Sequence, residues 1–447
     1  MGQKENAGTS NKGMSWVTLM LLGLAFTTGT GFFLGTSLAI EKTGYSVLLL
    51  FIIVALCTYF VFDSLARMIA QKAEKGSFRA YSYKAFGRWA GFSHGWMYWL
   101  SEMLILGSQL TAIGLFTKFW FPNIELWLLT AVYSVLGLII VLLGTKGFEK
   151  TEVIFGILKI VAIVMFIVLA ILVIFGAFGT EQAHTHRPDS FTDMFSGGMM
   201  GMWTSLLYVF FAFAGIEVMG LMATDLQNPK EAPKSGKVMI SIITILFILS
   251  IGLALLLAPL NKIDINESPF ITALKDLRMT ALVHVFNGVL IIAGFSSLIA
   301  SLYSVTRIMH AIAEAGDAPK WLAKQNKRKI PYWSLVLTVI GLIISIIIAL
   351  ILPKQVYEHI TTAGGLMLLY TWLFMVFAAR KLLKQNAWEQ IKTISAVIFI
   401  LLASAGTLFE KSARPGFFAS IGFLAVIGLV VLIMNRKWKK ENKLSPS

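Results

Sequence analysis

Two short stretches hold the residue types that could do chemistry: "TTGTGFFLG", residues 27–35, and "FAFAGIE", residues 211–217. Each sets small residues inside an apolar run. Gly29, Gly31 and Gly35 follow their run much as glycines follow the first strand of a dinucleotide-binding unit. The third, however, comes one residue too late for G-x-G-x-x-G, and no acidic partner in a following βαβ unit appears. The better reading is a helix interrupted inside a membrane. Unwinding a helix in lipid strands N–H and C=O groups at several kcal/mol each, so a break persists only where it lines a cavity or holds a ligand. Glycine permits the backbone angles, and a half-helix starting near Gly31 aims its N–H groups and positive dipole end at the gap, where a carboxylate fits. The carbonyls ending the other half, near Thr27 and Thr28, suit an ammonium. Together they suit a zwitterion, an α-amino acid. The competing reading of "TTGTG" is a close helix–helix contact through small residues; the matching interruption at 211–217 favours a binding site.

Ionisable residues inside apolar spans are costly and need a reason. Glu217 follows Gly215 and Ile216 at the second interruption. It either ties the unwound backbone in place or shifts as an outer gate closes. Lys159 lies seven residues after Glu152, about 10 Å deeper along a helix. It either snorkels back to the surface or acts as a buried amine that carries a proton. Ser296 and Ser297 are candidates to hydrogen-bond that amine, or they bond their own helix. Glu102 sits near mid-span as a substrate ligand, a proton ligand or a structural partner, and its assignment stays open. Phe211 and Phe213 stand where an aromatic lid would sit, or they pack in the core. His184 and His186 form a lone H-x-H in an outer loop, weak as a metal site and read as solvated.

The elements that must position these residues follow from composition. The chain has 447 residues, 57% hydrophobic and 14% charged, with a mean hydropathy of +0.77. A soluble domain carries about 25% charged residues. The charges cluster, leaving twelve apolar stretches long enough to cross a bilayer: 15–40, 46–69, 92–120, 124–144, 153–176, 198–223, 237–259, 279–306, 332–352, 356–380, 391–409 and 416–434. Period-two alternation is absent, which excludes a β-barrel reading. The expected fold class is an all-α membrane protein of 12 transmembrane helices. The two interruptions lie in spans 1 and 6. Five spans apart, they run in opposite directions, as an inverted repeat of spans 1–5 and 6–10 requires, and paired broken helices point to a midplane site in a transporter.

The expected organisation is a cytoplasmic tail at 1–14, spans 1–5 over 15–176, an extracellular loop at 177–197, spans 6–10 over 198–380, spans 11–12 over 391–434, and a basic cytoplasmic tail at 435–447. No signal-peptide cleavage site follows the first apolar run, which reads as a retained span. The net charge of +15 is not a nucleic-acid footprint. With the N-terminus inside, 28 of the 38 Lys and Arg fall on the cytoplasmic side, the positive-inside bias of a plasma-membrane protein with both termini cytoplasmic. The basic clusters favour anionic lipid. Two cytoplasmic connectors, "SFRAYSYKAFGRWAGF" and "HAIAEAGDAPKWLAKQNKRKIP", read as lipid-facing segments or gating levers. One cysteine, Cys57, cannot form an internal disulfide. No P-loop, H-E-x-x-H or G-x-S-x-G motif is present, so neither an enzyme nor an ATP-driven pump is expected, and no cofactor or metal.

These stretches together resemble the bacterial amino acid permeases of the amino acid–polyamine–organocation superfamily, and within it the amino acid transporter family. The resemblance runs from about residue 14 to 435. It rests on "TGTGFFLG", "GSFRAYSYKAFGRWAGFSHGWMYW" at 76–99, "TEVIFGILKIVAI" at 151–163, "FFAFAGIEVMGLMATDLQNPKEAPK" at 210–234 and "SLYSVTRIMHAIAEAGDAPK" at 301–320. It implies a leucine-transporter-like 5+5 inverted repeat with two appended helices. It also implies that Gly29, Thr30 and Gly31 bind the substrate carboxylate through backbone N–H groups, and that carbonyls around Phe211, Ala214 and Gly215 receive the amino group; Thr28 completes the expected substrate-binding set. Phe211 would be the aromatic gate. Lys159 would stand where sodium-coupled members of the fold place an ion, with Ser296 beside it. Two departures bear on side-chain specificity: relatives carry a carboxylate in the "MAEL" stretch where this chain has "GSQL", with Gln109, and Glu102 is unusual. The expected function is proton-coupled uptake of a neutral, apolar or small amino acid by alternating access. The alternatives are an exchanger and, from another class, an amino acid-binding sensor.

Overall fold

The computed structural model of the chain describes residues 13–143, 148–176, 185–326, 331–351 and 356–444. Among the described residues eighteen α-helices follow in order. The first half holds α1 (Trp16–Thr27), α2 (Thr30–Phe33), α3 (Gly35–Thr43), α4 (Val47–Gln71), α5 (Ser77–Phe86), α6 (Arg88–Lys118), α7 (Leu126–Leu143) and α8 (Phe148–Ile174). The second holds α9 (Phe191–Met194), α10 (Gly198–Ala212), α11 (Ile216–Met222), α12 (Ala232–Leu257), α13 (Pro269–Asp276), α14 (Thr280–Glu314), α15 (Tyr332–Ile351), α16 (Val356–Leu382), α17 (Ala387–Phe409) and α18 (Arg414–Leu444). Among the described residues ten helical stretches are long and apolar enough to cross a membrane, one of them the continuous run Thr30–Gln71; α1 and α7 are apolar but shorter.

Local signals set several ends. The Ser15 hydroxyl accepts from Thr18 N–H and starts α1, while Asn386 and Glu389 form a reciprocal capping box at α17. Both interruptions read from the sequence are present: α1 is separated from α2 at Thr28–Gly29, and α10 from α11 at Phe213–Gly215. The halves pair off, α1 packing along α11 and α3 along α10. Around them lie α6 against α14 and α16, α8 against α1, α12 and α14, and α4 against α12, α16 and α17.

Aromatic rings fill the space behind the first break. Phe32 stacks on Phe247 with centroids 3.7 Å apart and meets Phe270, which also touches Phe166. Phe213 belongs to this packing, against Phe51 and Phe247, and is not the lid that its place beside the break suggested.

The two connectors that the sequence placed on one side of the membrane clasp each other. Asp317, in the Gly-Asp-Ala-Pro stop after α14, is buried and pairs with Arg79 of α5 and Arg88 at the start of α6, the latter at 3.1 Å. Trp96 Nε1 donates to the Asp317 carbonyl at 3.1 Å. They are therefore ionically joined to each other and not merely lipid-facing. On the same side, Met14 N–H donates to the Asp225 carbonyl and Gln227 N–H to the Met14 carbonyl, pinning the N-terminal stretch to the chain after α11. Removing one partner of a buried ion pair costs about 3–5 kcal/mol, against about 0–1 for an exposed pair. Asp317→Ala should accordingly lower the thermal unfolding temperature in detergent well beyond Lys84→Ala, which removes the exposed partner of Glu74; equal shifts would refute the clasp.

Candidate functional site: two facing helix breaks

At the first break Thr28 (φ −81°, ψ 86°) and Gly29 (φ −133°, ψ −165°) leave the helix. Thr28 N–H still reaches the Leu24 carbonyl, and the Gly29 carbonyl accepts from Phe32 and Phe33, each at 3.1 Å. No side chain caps Gly29, and the leading N–H groups of a helix have no intrahelical acceptor, so those of Thr30 and Gly31 are left for another. The hydroxyls of Thr27 and Thr28 are buried with no hydrogen-bond partner among the described residues.

At the second break, Phe213 and Ala214 N–H close on the carbonyls of Phe210 and Phe211 at 3.0 and 3.1 Å. Gly215 then takes φ +114°, a left-handed conformation that favours glycine. Glu217 is committed to this turn. Its Oε1 accepts Gly215 N–H at 2.8 Å and its Oε2 accepts Trp372 Nε1–H at 3.2 Å, with the residue 1% exposed. Of the two roles left open by the sequence, this geometry is the backbone tie.

The breaks touch. A Cβ on Gly215 would lie 2.8 Å from the Phe26 carbonyl carbon and 3.0 Å from Thr27 N, both backbone atoms. A Cβ on Gly31 would lie 2.7 Å from the Phe211 carbonyl oxygen and 2.9 Å from its ring, so the Phe211 ring covers Gly31. Tyr357 OH donates to the Thr30 carbonyl at 3.3 Å from α16.

Lys159 does not snorkel. It is 1% exposed, and its Nζ donates to the Ala25 carbonyl and to Ser297 Oγ, both at 3.0 Å. Ser297 in turn donates to the Ala293 carbonyl, and Ser296 is buried beside it. The amine joins α8 to α14 and to the last turn of α1, whose carbonyl end favours a cation. Glu102 and Gln109 of α6 line a cavity of about 40 Å³ with Phe26, Ala214, Gly215, Glu217 and Ser297. That holds a few waters and not an amino acid. His186 is not simply solvated: its N–H donates to the Leu256 carbonyl and its ring lies 3.8 Å from Asp276. His184 lies outside the described residues, as do the tail at 1–12 and the tip at 445–447.

Sequence reading did not single out Trp372, Tyr357 or a second polar cluster toward the ends of α3 and α17. There Lys42 Nζ lies 3.3 Å from Glu358 and 3.7 Å from Glu410, while Tyr208 OH and Ser412 Oγ donate to Glu358 at 2.9 and 2.6 Å. Glu358 lies in the first turn of α16, flanked by Gln355 and His359, so it lacked the mid-span signal that marked Glu217.

A helical bundle of apolar spans around two broken helices is the architecture of a multi-pass membrane transporter. Its fold is that of a crystallised manganese transporter from Eremococcus coleocola, two mutant structures of which align with TM-scores of 0.58 and 0.59 at 15% identity, covering 96–97% of this chain and 96% of theirs. The amino acid permease family model matches residues 17–443, and the chain belongs to that family. It is 52% identical over 434 residues, 97% of each chain, to a protein of Bacillus subtilis (strain 168) named "Uncharacterized transporter YcgH". It is also 27% identical over 431 residues to the aromatic amino acid transport protein AroP of Escherichia coli (strain K12), covering 95% of this chain and 94% of AroP. The protein is thus a membrane-embedded permease and not an enzyme.

Gly215→Ala should destabilise the purified protein, since a non-glycine residue held in such a conformation costs about 1–3 kcal/mol before any clash. Gly422→Ala, where a Cβ meets nothing within 4 Å, should leave the unfolding temperature unchanged. Indistinguishable melting curves for the two would rule out a rigid contact between the breaks.

Proposed function

We propose that the protein is a secondary active transporter that takes up an amino acid across the plasma membrane by alternating access, coupled to protons. One observation carries the reading: two broken helices meet face to face, with N–H groups at Thr30 and Gly31 uncapped and hydroxyls on Thr27 and Thr28 unpaired among the described residues. Gly29, Thr30 and Gly31 would hold the substrate carboxylate, with the Thr28 hydroxyl. Carbonyls at Phe211, Ala214 and Gly215 would accept its ammonium. In this reading α1 with α2–α3 forms span 1 and α10 with α11 forms span 6. The count is then twelve, arranged as a 5+5 inverted repeat with α17 and α18 appended and both termini cytoplasmic.

The small cavity means that a substrate enters only after the breaks part. Phe211 would be the lid, since its ring occupies the space over Gly31. The cluster of Lys42, Glu358, Glu410 and Tyr208 would close the outer side, and the Met14–Gln227 pairing with the Asp317 clasp the inner side.

The proton reading rests on Lys159. A buried ammonium bonded to Ala25 and Ser297 occupies the junction of α1, α8 and α14. While charged it repels sodium; on losing its proton it loosens both bonds and the hold on α1. Each positive charge moving inward gains about 2.3 kcal/mol per 100 mV, enough for a proton to drive accumulation. Exchange of one amino acid for another is the second reading, favoured if the loaded carrier alone can reorient.

Proteoliposomes separate these. Amino acid uptake should rise with an inward proton gradient and ignore sodium, and empty vesicles should support it. Strict sodium dependence refutes the proton reading, and a requirement for internal amino acid points to exchange. Lys159→Ala should abolish gradient-driven accumulation while equilibrium binding persists. Phe211→Ala should reorder a panel of competing amino acids; an unchanged order removes Phe211 from the gate.

A further inference from the structure

The cavity beside the breaks offers more acceptors than the backbone there uses. Both oxygens of Glu217 are taken, by Gly215 N–H and Trp372. Glu102, 2% exposed, lines the same cavity as Glu217 and has the hydroxyls of Ser301 and Tyr98 beside its carboxyl as donors. Neither carboxyl makes an ion pair among the described residues. Two turns further along α6, Gln109 lines the same cavity. It is 8% exposed, and its side-chain oxygen has no hydrogen-bond partner among the described residues. Seven residues is close to two helical turns, so Glu102 and Gln109 share one face of α6.

A buried acceptor without a donor is destabilising, and the Gln109 side-chain oxygen is such an acceptor. A ligand that brings a donor removes that penalty; one of the same shape without a donor preserves it. We infer that the face of α6 bearing Glu102 and Gln109 is the side-chain subsite of the transported amino acid, and that it selects side chains carrying an N–H or O–H donor over apolar side chains of the same shape. The inference rests on the amino acid reading above and sharpens it. It also reverses the apolar preference expected from the residues at 211–216, which are backbone contributors or core packing. Ser297 lines the cavity as well, so a side chain seated there lies within one residue of the Lys159 contact.

Near-isosteric pairs test it on the purified full-length chain: L-threonine against L-valine, L-asparagine against L-leucine, L-glutamine against L-methionine. Apparent affinities come from concentration-dependent thermal stabilisation. The donor-bearing member of at least one pair should bind roughly fivefold to a hundredfold more tightly, the range for satisfying one buried acceptor otherwise left unpaired. Gln109→Leu and Glu102→Leu should shrink that ratio, while Glu102→Gln, which keeps an acceptor oxygen and the shape, should retain most of it. Equal or better binding of the apolar member in every pair overturns the inference and leaves amino acid transport standing. So does an equal loss of affinity for both members in the α6 variants. If none of the twenty amino acids stabilises the chain or enters proteoliposomes, the transport reading falls and the subsite falls with it.

Discussion

Everything in this structure depends on how a helix can be broken inside hydrocarbon. Water cannot satisfy the freed groups there, so the protein must. Glu217 shows the cost and its offset. One carboxyl satisfies the N–H of Gly215, where the chain turns through φ +114°, and is held from behind by the Trp372 indole. At the first break no side chain caps Gly29, so the leading N–H groups of α2 have no acceptor in their own helix.

The surrounding helices are arranged to hold that junction closed. Lys159 ties α8 and α14 to the last turn of α1, where the helix dipole favours a positive charge. Tyr357 reaches the Thr30 carbonyl from α16, and Phe211 lies on Gly31. Ionic clusters join helices at two places: Lys42 with Glu358 and Glu410, and Asp317 with Arg79 and Arg88. Between them the breaks leave a cavity of about 40 Å³.

Much of the site was legible because membrane chemistry is intolerant. Glycines inside an apolar run, and a lysine or glutamate at mid-span, are rare enough to mean something wherever they occur. Gly29, Gly31, Gly215, Lys159 and Glu217 stood out on that ground and converge within the fold. Trp372 and Tyr357 did not, since an aromatic residue in an apolar span has no distinguishing pattern; their polar tips matter only once a partner from another helix lies within reach. Phe211 and Phe213 sit on either side of one residue and looked alike, yet one ring covers the break and the other fills the core behind it. Arg79 and Arg88 looked like surface charges until α14 delivered Asp317.

The sequence alone determined the class of the molecule: an apolar chain of helices, two of them interrupted, with titratable groups at the interruptions. These features follow from what a bilayer forbids, and they are local. The tertiary structure decided which groups answer which. Glu217 serves the backbone, Lys159 bonds Ser297 and a carbonyl of α1, and Glu102 and Gln109 from a third helix line the space between. Such assignments depend on distances between elements far apart in the chain, and no residue spacing encodes them.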